Sequence, residues 1–125
     1  ANKNNTIIFH NSSNNRKIKI LKRKGITLIK FKVDNKKLFN LKTILKKLFV
    51  LGVRNLLVEG GDKITKNLIQ NRLIDKFYLF KSPKNLLISK EHMKFTSFNT
   101  LNTKYKIKTR ISPKLAKDNI TIYKR

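Results

Sequence analysis

An apolar run that ends abruptly in a carboxylate and two glycines, Leu56-Leu57-Val58-Glu59-Gly60-Gly61-Asp62, sets the architecture of this chain. Three apolar residues without polar alternation predict a strand over Asn55 to Val58 that is covered on both faces, as central parallel strands are. A helix is predicted from about Asp62 to Asn71, with Ile64, Leu68 and Ile69 turned inward. The carboxyl end of such a strand is where open α/β sheets place ligands. Glycines let the main chain approach a ligand closely, and the helix start offers unpaired N–H groups to an anion such as a dinucleotide phosphate. A plain strand-to-helix turn would use the same residues. The block is not G-x-G-x-x-G and lacks the P-loop Lys-Ser/Thr, so neither fingerprint applies.

The other elements follow from local signals. Asn5 to His10 reads as a short apolar strand and Asn11 to Asn15 as a loop and N-cap signal. Lys17 to Lys24, whose first four residues alternate like a strand, is favoured as a short helix by its length, its charge and the Gly25 stop. Ile26 to Val33 alternates as a strand with one wet face and breaks at Asp34-Asn35-Lys36-Lys37. Leu41, Ile44, Leu45, Leu48 and Leu51 fall at helical spacing between an Asn40 cap and Gly52. Lys76 to Lys81 is a strand closed by Ser82-Pro83, and residues 84 to 102 carry no strong periodicity. The alternation over 105–111 and the run 120–123 predict an antiparallel hairpin with its cations toward water. Together these give an α/β fold with a mostly parallel sheet flanked by helices and a C-terminal antiparallel hairpin.

Composition removes whole classes of chemistry. With no cysteine there are no disulfides, thiolate nucleophiles or Cys-ligated metals, and His10 and His92 stand alone, so no metal site is expected. No window is long and apolar enough for a membrane span, and the first 30 residues lack a signal-peptide core, so a soluble, cytoplasmic protein is expected. The 31 basic and 6 acidic residues give a net charge of +25, which invites a nucleic-acid reading. Lys, Asn, Ile, Phe and Tyr fill 66 of the 125 positions, however, as in a coding sequence drifting toward A and T, and only 6 of the cations are Arg. Residues 53–78 escape that drift, holding three of the six acids (Glu59, Asp62, Asp75) and two of the four glycines.

Within that stretch Glu59 is aimed at whatever occupies the loop, a ligand hydroxyl or amine being its natural partner. Asp62 is expected to cap the helix by accepting from the N–H of Ile64 or Thr65, with Lys63 or Lys66 offsetting its charge if a phosphate docks.

The run Gly52 to Gly61, the helix after it, Leu73-Ile74-Asp75-Lys76-Phe77 and Ser82-Pro83-Lys84 together resemble the C-terminal reductase domain of the bacterial riboflavin-biosynthesis deaminase/reductase, whose fold is dihydrofolate-reductase-like. The resemblance runs from about Asn5 onward and is strongest over Gly52 to Lys84. It implies NADPH-dependent reduction of the ribosyl group of 5-amino-6-(5-phosphoribosylamino)uracil, a phosphorylated pyrimidine, to a ribityl chain. Carried over by position, Glu59 contacts substrate, and Gly61, Asp62, Lys63, Ile64 and Thr65 line the cofactor, while no residue is assigned to catalysis. Relatives usually have an uncharged residue where Asp62 stands.

The resemblance also implies that residues 1–125 are the C-terminal part of one reductase domain, an incomplete domain without the zinc deaminase half. A complementing N-terminal segment or a homo-oligomer is therefore expected as partner. Two other readings are a basic nucleic-acid-binding module, against which no RNA-recognition or helix-turn-helix pattern is found, and an inactive remnant of the reductase.

Overall fold

The computed structural model describes residues 5–82, 95–111 and 118–125. They belong to two compact units, Ala1–Asn55 and Leu56–Arg125.

The first unit is built on a β-α-β motif. Strand β1 (Ile7–His10) pairs in parallel with β2 (Thr27–Lys30), Ile7 opposite Thr27 and His10 opposite Lys30. Parallel neighbours need a crossover, here helix α1 (Asn15–Arg23). The Asn14 side chain accepts from the Lys17 N–H at 3.0 Å and starts α1, and Gly25, at φ 73°, lets the chain turn away after it. The Phe9 and Phe31 rings meet edge to face at 5.3 Å. The predicted second strand is shorter than its alternation suggested. It stops at Lys30, and Val33 forms only an isolated bridge to Phe39 across a turn in which Asp34 Oδ1 accepts from the Lys36 and Leu38 N–H groups at 2.9 and 2.8 Å. Helix α2 (Leu41–Val50) begins where Asn40 accepts from the Thr43 N–H at 3.2 Å and ends before Gly52, at φ 91°. Leu41, Ile44, Leu45 and Leu48 form its half-buried face, as the spacing required.

The second unit packs two helices on an antiparallel sheet. Helix α3 (Asp62–Gln70) leads to strand β3 (Lys76–Lys81), helix α4 (Phe98–Lys104), and strands β4 (Ile107–Ile111) and β5 (Asn119–Lys124). Strand β5 lies centrally, antiparallel to both β3 and β4. Ile69, Leu101, Tyr105 and Tyr123 form the core, with Ile74, Phe77 and Leu79 packed against it. Ile69 and Leu101 are wholly buried.

Three expectations are corrected. Asn55 to Val58 is not a strand, and Leu57 is 81% exposed. A strand exists only where another strand takes up its main-chain N–H and C=O groups, and no described residue does so here. The sheets are also not mostly parallel, since one described strand pair is parallel and two are antiparallel. Finally, part of the segment read as irregular is α4, and Tyr105, read as the start of a strand, caps that helix.

The hairpin prediction holds for β4 and β5, and Lys108 and Arg110 are exposed as expected. Lys108 lies opposite Tyr123, whose partner on the other side is Phe77, and although exposed its Nζ sits 5.6 Å from the Tyr123 ring centre. Ile107 and Ile111 lie on the opposite face with Tyr78 and Phe80, and all four are exposed. Pro83-Lys84, His92 and residues 112–117 lie outside the described residues.

Candidate functional site

The candidate residues gather at the start of α3. Gly61 is the N-cap, with φ −72° and ψ 171°, and contributes no side chain to cap the first turn. The first helical bond runs from the Thr65 N–H to the Gly61 carbonyl at 3.3 Å. The main-chain N–H groups of Asp62, Lys63 and Ile64 precede that bond, as the first donors of every helix do. No side chain accepts from them among the described residues. This end of the helix carries partial positive charge and open donors, the arrangement that receives anions.

Asp62 does not cap the helix as expected. Its carboxylate leaves the first turn for Thr96: Oδ1 accepts from the Thr96 N–H at 2.9 Å and Oδ2 from the Thr96 hydroxyl at 2.6 Å. These two bonds hold the Asp62 carboxyl below the ordinary carboxylate range, with a smaller contribution from Lys66. The acid thus ties the segment before α4 to the start of α3. It leaves the first-turn amides free of competition from its own side chain.

The two glycines have different reasons. A Cβ at Gly60 would run into Ile64 Cγ2, so that glycine is required by the packing of the first turn against the bend. Ile64, expected to face inward, instead leans over Gly60 and remains 38% exposed. Gly61 has dihedral angles that any residue adopts, so its backbone conformation does not call for glycine. Glu59 is exposed, with no partner for its carboxylate among the described residues, and Lys63, four positions on, is also exposed. The structure therefore brings Glu59, Gly61, Lys63, Ile64 and Thr65 together at one helix end and turns Asp62 away to Thr96. Dinucleotide phosphate oxygens fit the first-turn amides. They do not fit over the Gly60 α-carbon, which Ile64 covers.

Thr96 was missed from sequence because 84–102 looked irregular. The spacing of Ser97, Leu101 and Tyr105 is the signal that was available, a capping residue type followed by apolar residues four apart. Among the described residues no group of His, Asp or Glu could hold a metal, and no helix is long and apolar enough to cross a membrane.

Comparison with known proteins gives a consistent result. The family model described as the RibD C-terminal domain matches residues 1–108. The riboflavin biosynthesis protein RibD of Aquifex aeolicus is 37% identical over 70 residues, which cover 56% of this chain and 18% of that protein. Among solved structures, Acinetobacter baumannii RibD superposes with a TM-score of 0.62 at 15% identity, covering 94% of this chain and 30% of its own. A pyrimidine reductase-like protein from Corynebacterium diphtheriae gives 0.63 at 16% identity, covering 94% and 48%. The chain therefore spans less than a fifth of its curated relative and less than half of either solved structure.

Proposed function

The chain belongs to the RibD C-terminal domain family, and from that premise we propose that it serves as the cofactor-binding part of an NADPH-dependent reductase acting on 5-amino-6-(5-phosphoribosylamino)uracil in riboflavin biosynthesis. One observation carries the reading: an uncapped helix start directly after Glu59-Gly60-Gly61, with the neighbouring acid held elsewhere by Thr96.

In this reading the amides of Asp62, Lys63 and Ile64 donate to phosphate oxygens of the cofactor. The helix end adds a favourable field of about 0.3–1 kcal/mol for each such charge. Gly61 lets the ligand approach the main chain, and the exposed Lys63 ammonium offsets negative charge. Thr65 closes the turn through its bond to Gly61 and so holds the amides in place. Glu59 accepts a hydrogen bond from a substrate hydroxyl or amine and orients the sugar. NADPH, when bound, supplies the hydride. A complementing N-terminal segment or a second copy belongs to the same proposal, and the exposed apolar sheet face of Tyr78, Phe80, Ile107 and Ile111 supports a partner.

NADPH titration of the full chain by fluorescence tests this. Saturable binding, retained in Glu59→Gln and lost in Gly61→Val, is the expected result. Because the Gly61 angles suit any residue, that variant keeps its backbone geometry and reports on ligand approach. Absence of binding at millimolar NADPH would overturn the reading.

A further inference from the structure

At the other end of α3, about 13 Å along the helix axis, the second unit has an open cleft of about 360 Å³ between the turn that follows α3, the end of α4, the start of β4 and the end of β5. Arg72, Lys104, Lys106, Lys124 and Arg125 line it together with Tyr105, and Asp75 lies near, its carbonyl accepting from the Arg125 N–H at 3.2 Å. Lys104 has a structural use, since its ammonium donates to the Gln70 carbonyl at the end of α3. No carboxylate pairs with the other four cations among the described residues.

Two of those cations occupy positions that are unfavourable to the fold. Arg72 follows the C-cap Asn71 at φ 52°, its N–H bonded to the Ile69 carbonyl and the Leu73 N–H to the Leu68 carbonyl. That is a Schellman ending, whose left-handed position is ordinarily glycine because a Cβ is strained there. Lys124 lies directly opposite Lys76 across the β3·β5 pair, a like-charge pairing that weakens a sheet. The Tyr105 hydroxyl is buried beside the Ile74 main chain. Burial pushes its pKa up, opposed by the Ile74 backbone and by the charges of Arg125 and Arg72, while the Asp75 carboxylate adds to the rise.

We propose that this cleft, separate from the Gly61 end of α3, binds a small anion carrying linked phosphate groups, gripped by the Arg72 and Arg125 guanidinium groups with Lys106 and Lys124 at its rim. Four cations against the single nearby carboxylate of Asp75 leave a net charge that suits linked phosphates better than a single phosphate, and guanidinium groups suit phosphate oxygens through paired hydrogen bonds.

The test titrates inorganic pyrophosphate into the full chain by calorimetry at about 150 mM salt, where diffuse attraction is screened beyond about 8 Å. One saturable site is expected. Arg72→Gly should weaken it about tenfold while melting at the same or a higher temperature, because glycine relieves the left-handed strain. The pair Lys106→Gln and Lys124→Gln should also weaken it about tenfold. Lys42→Gln with Lys46→Gln on α2, the same change in net charge in the other unit, should alter it less than twofold. Gly61→Val should leave pyrophosphate binding intact, which separates this site from the proposed NADPH site. Non-saturating binding, equal weakening by the two lysine pairs, loss in Gly61→Val, or displacement of pyrophosphate by a single-stranded RNA that binds more tightly would each overturn the proposal.

Discussion

Replacing Gly60 by alanine distinguishes packing within the bend from open access to a ligand. The added methyl would overlap Ile64 Cγ2. That methyl is on a β-branched side chain in the first turn of α3, and such residues strongly prefer one χ1 rotamer in a helix, so Ile64 cannot simply rotate aside. Inserting a methyl into an occupied space costs about 1–3 kcal/mol. Because Gly60 lies outside the left-handed region, alanine recovers about 0.4–1 kcal/mol from the unfolded chain. The net expectation is a loss of about 1–2 kcal/mol, read as a lower urea midpoint at unchanged slope. Ile64→Ala removes Cγ2, so the double variant should show little of the Gly60→Ala penalty when compared with Ile64→Ala alone. If Gly60→Ala is as stable as the parent chain, or if its penalty persists in the Ile64→Ala background, the packing explanation is refuted.

Two further outcomes follow from the same unit. The Asp62 carboxyl is depressed in the folded state, so its contribution to stability is complete above about pH 5, and it is lost as pH falls through 3.8 toward the lowered folded value. Thr96→Val removes the hydroxyl donor, and carbon-detected NMR titration should then find the Asp62 midpoint moved back up toward 3.8; an unmoved midpoint would reject Thr96 as the cause. Leu101→Ala, at a wholly buried site against Ile69, Tyr105 and Tyr123, should cost about 2–5 kcal/mol in denaturant unfolding, and a loss under about 1 kcal/mol would mean that this cluster is not the core.

The legible parts of the candidate site were those with a local cause. Gly60, Gly61 and the start of α3 could be read from residue types within a few positions of one another. The Asp62–Thr96 bond could not, because the partners lie 34 residues apart and Asp62 was itself a good candidate for capping. Competition between a near donor and a distant one is settled by which geometry the packed helices allow. Tyr105 shows the same limit: its alternation with neighbouring lysines suggested a strand, while burial against Ile69 and Leu101 accompanies its place at the end of α4.

What the amino-acid order determined by itself are the features whose energy is local: the Asn14 and Asn40 caps, the glycine stops after α1 and α2, the half-buried stripe of α2 and the family to which the chain belongs. Tertiary structure alone decided whether Leu56-Leu57-Val58 would be a strand, that Tyr105 would end a helix inside the core, and where the Asp62 carboxylate would go. A helix satisfies its main-chain groups from within its own segment. A strand, or a carboxylate with two available donors, takes its final state from partners that the chain brings in from afar.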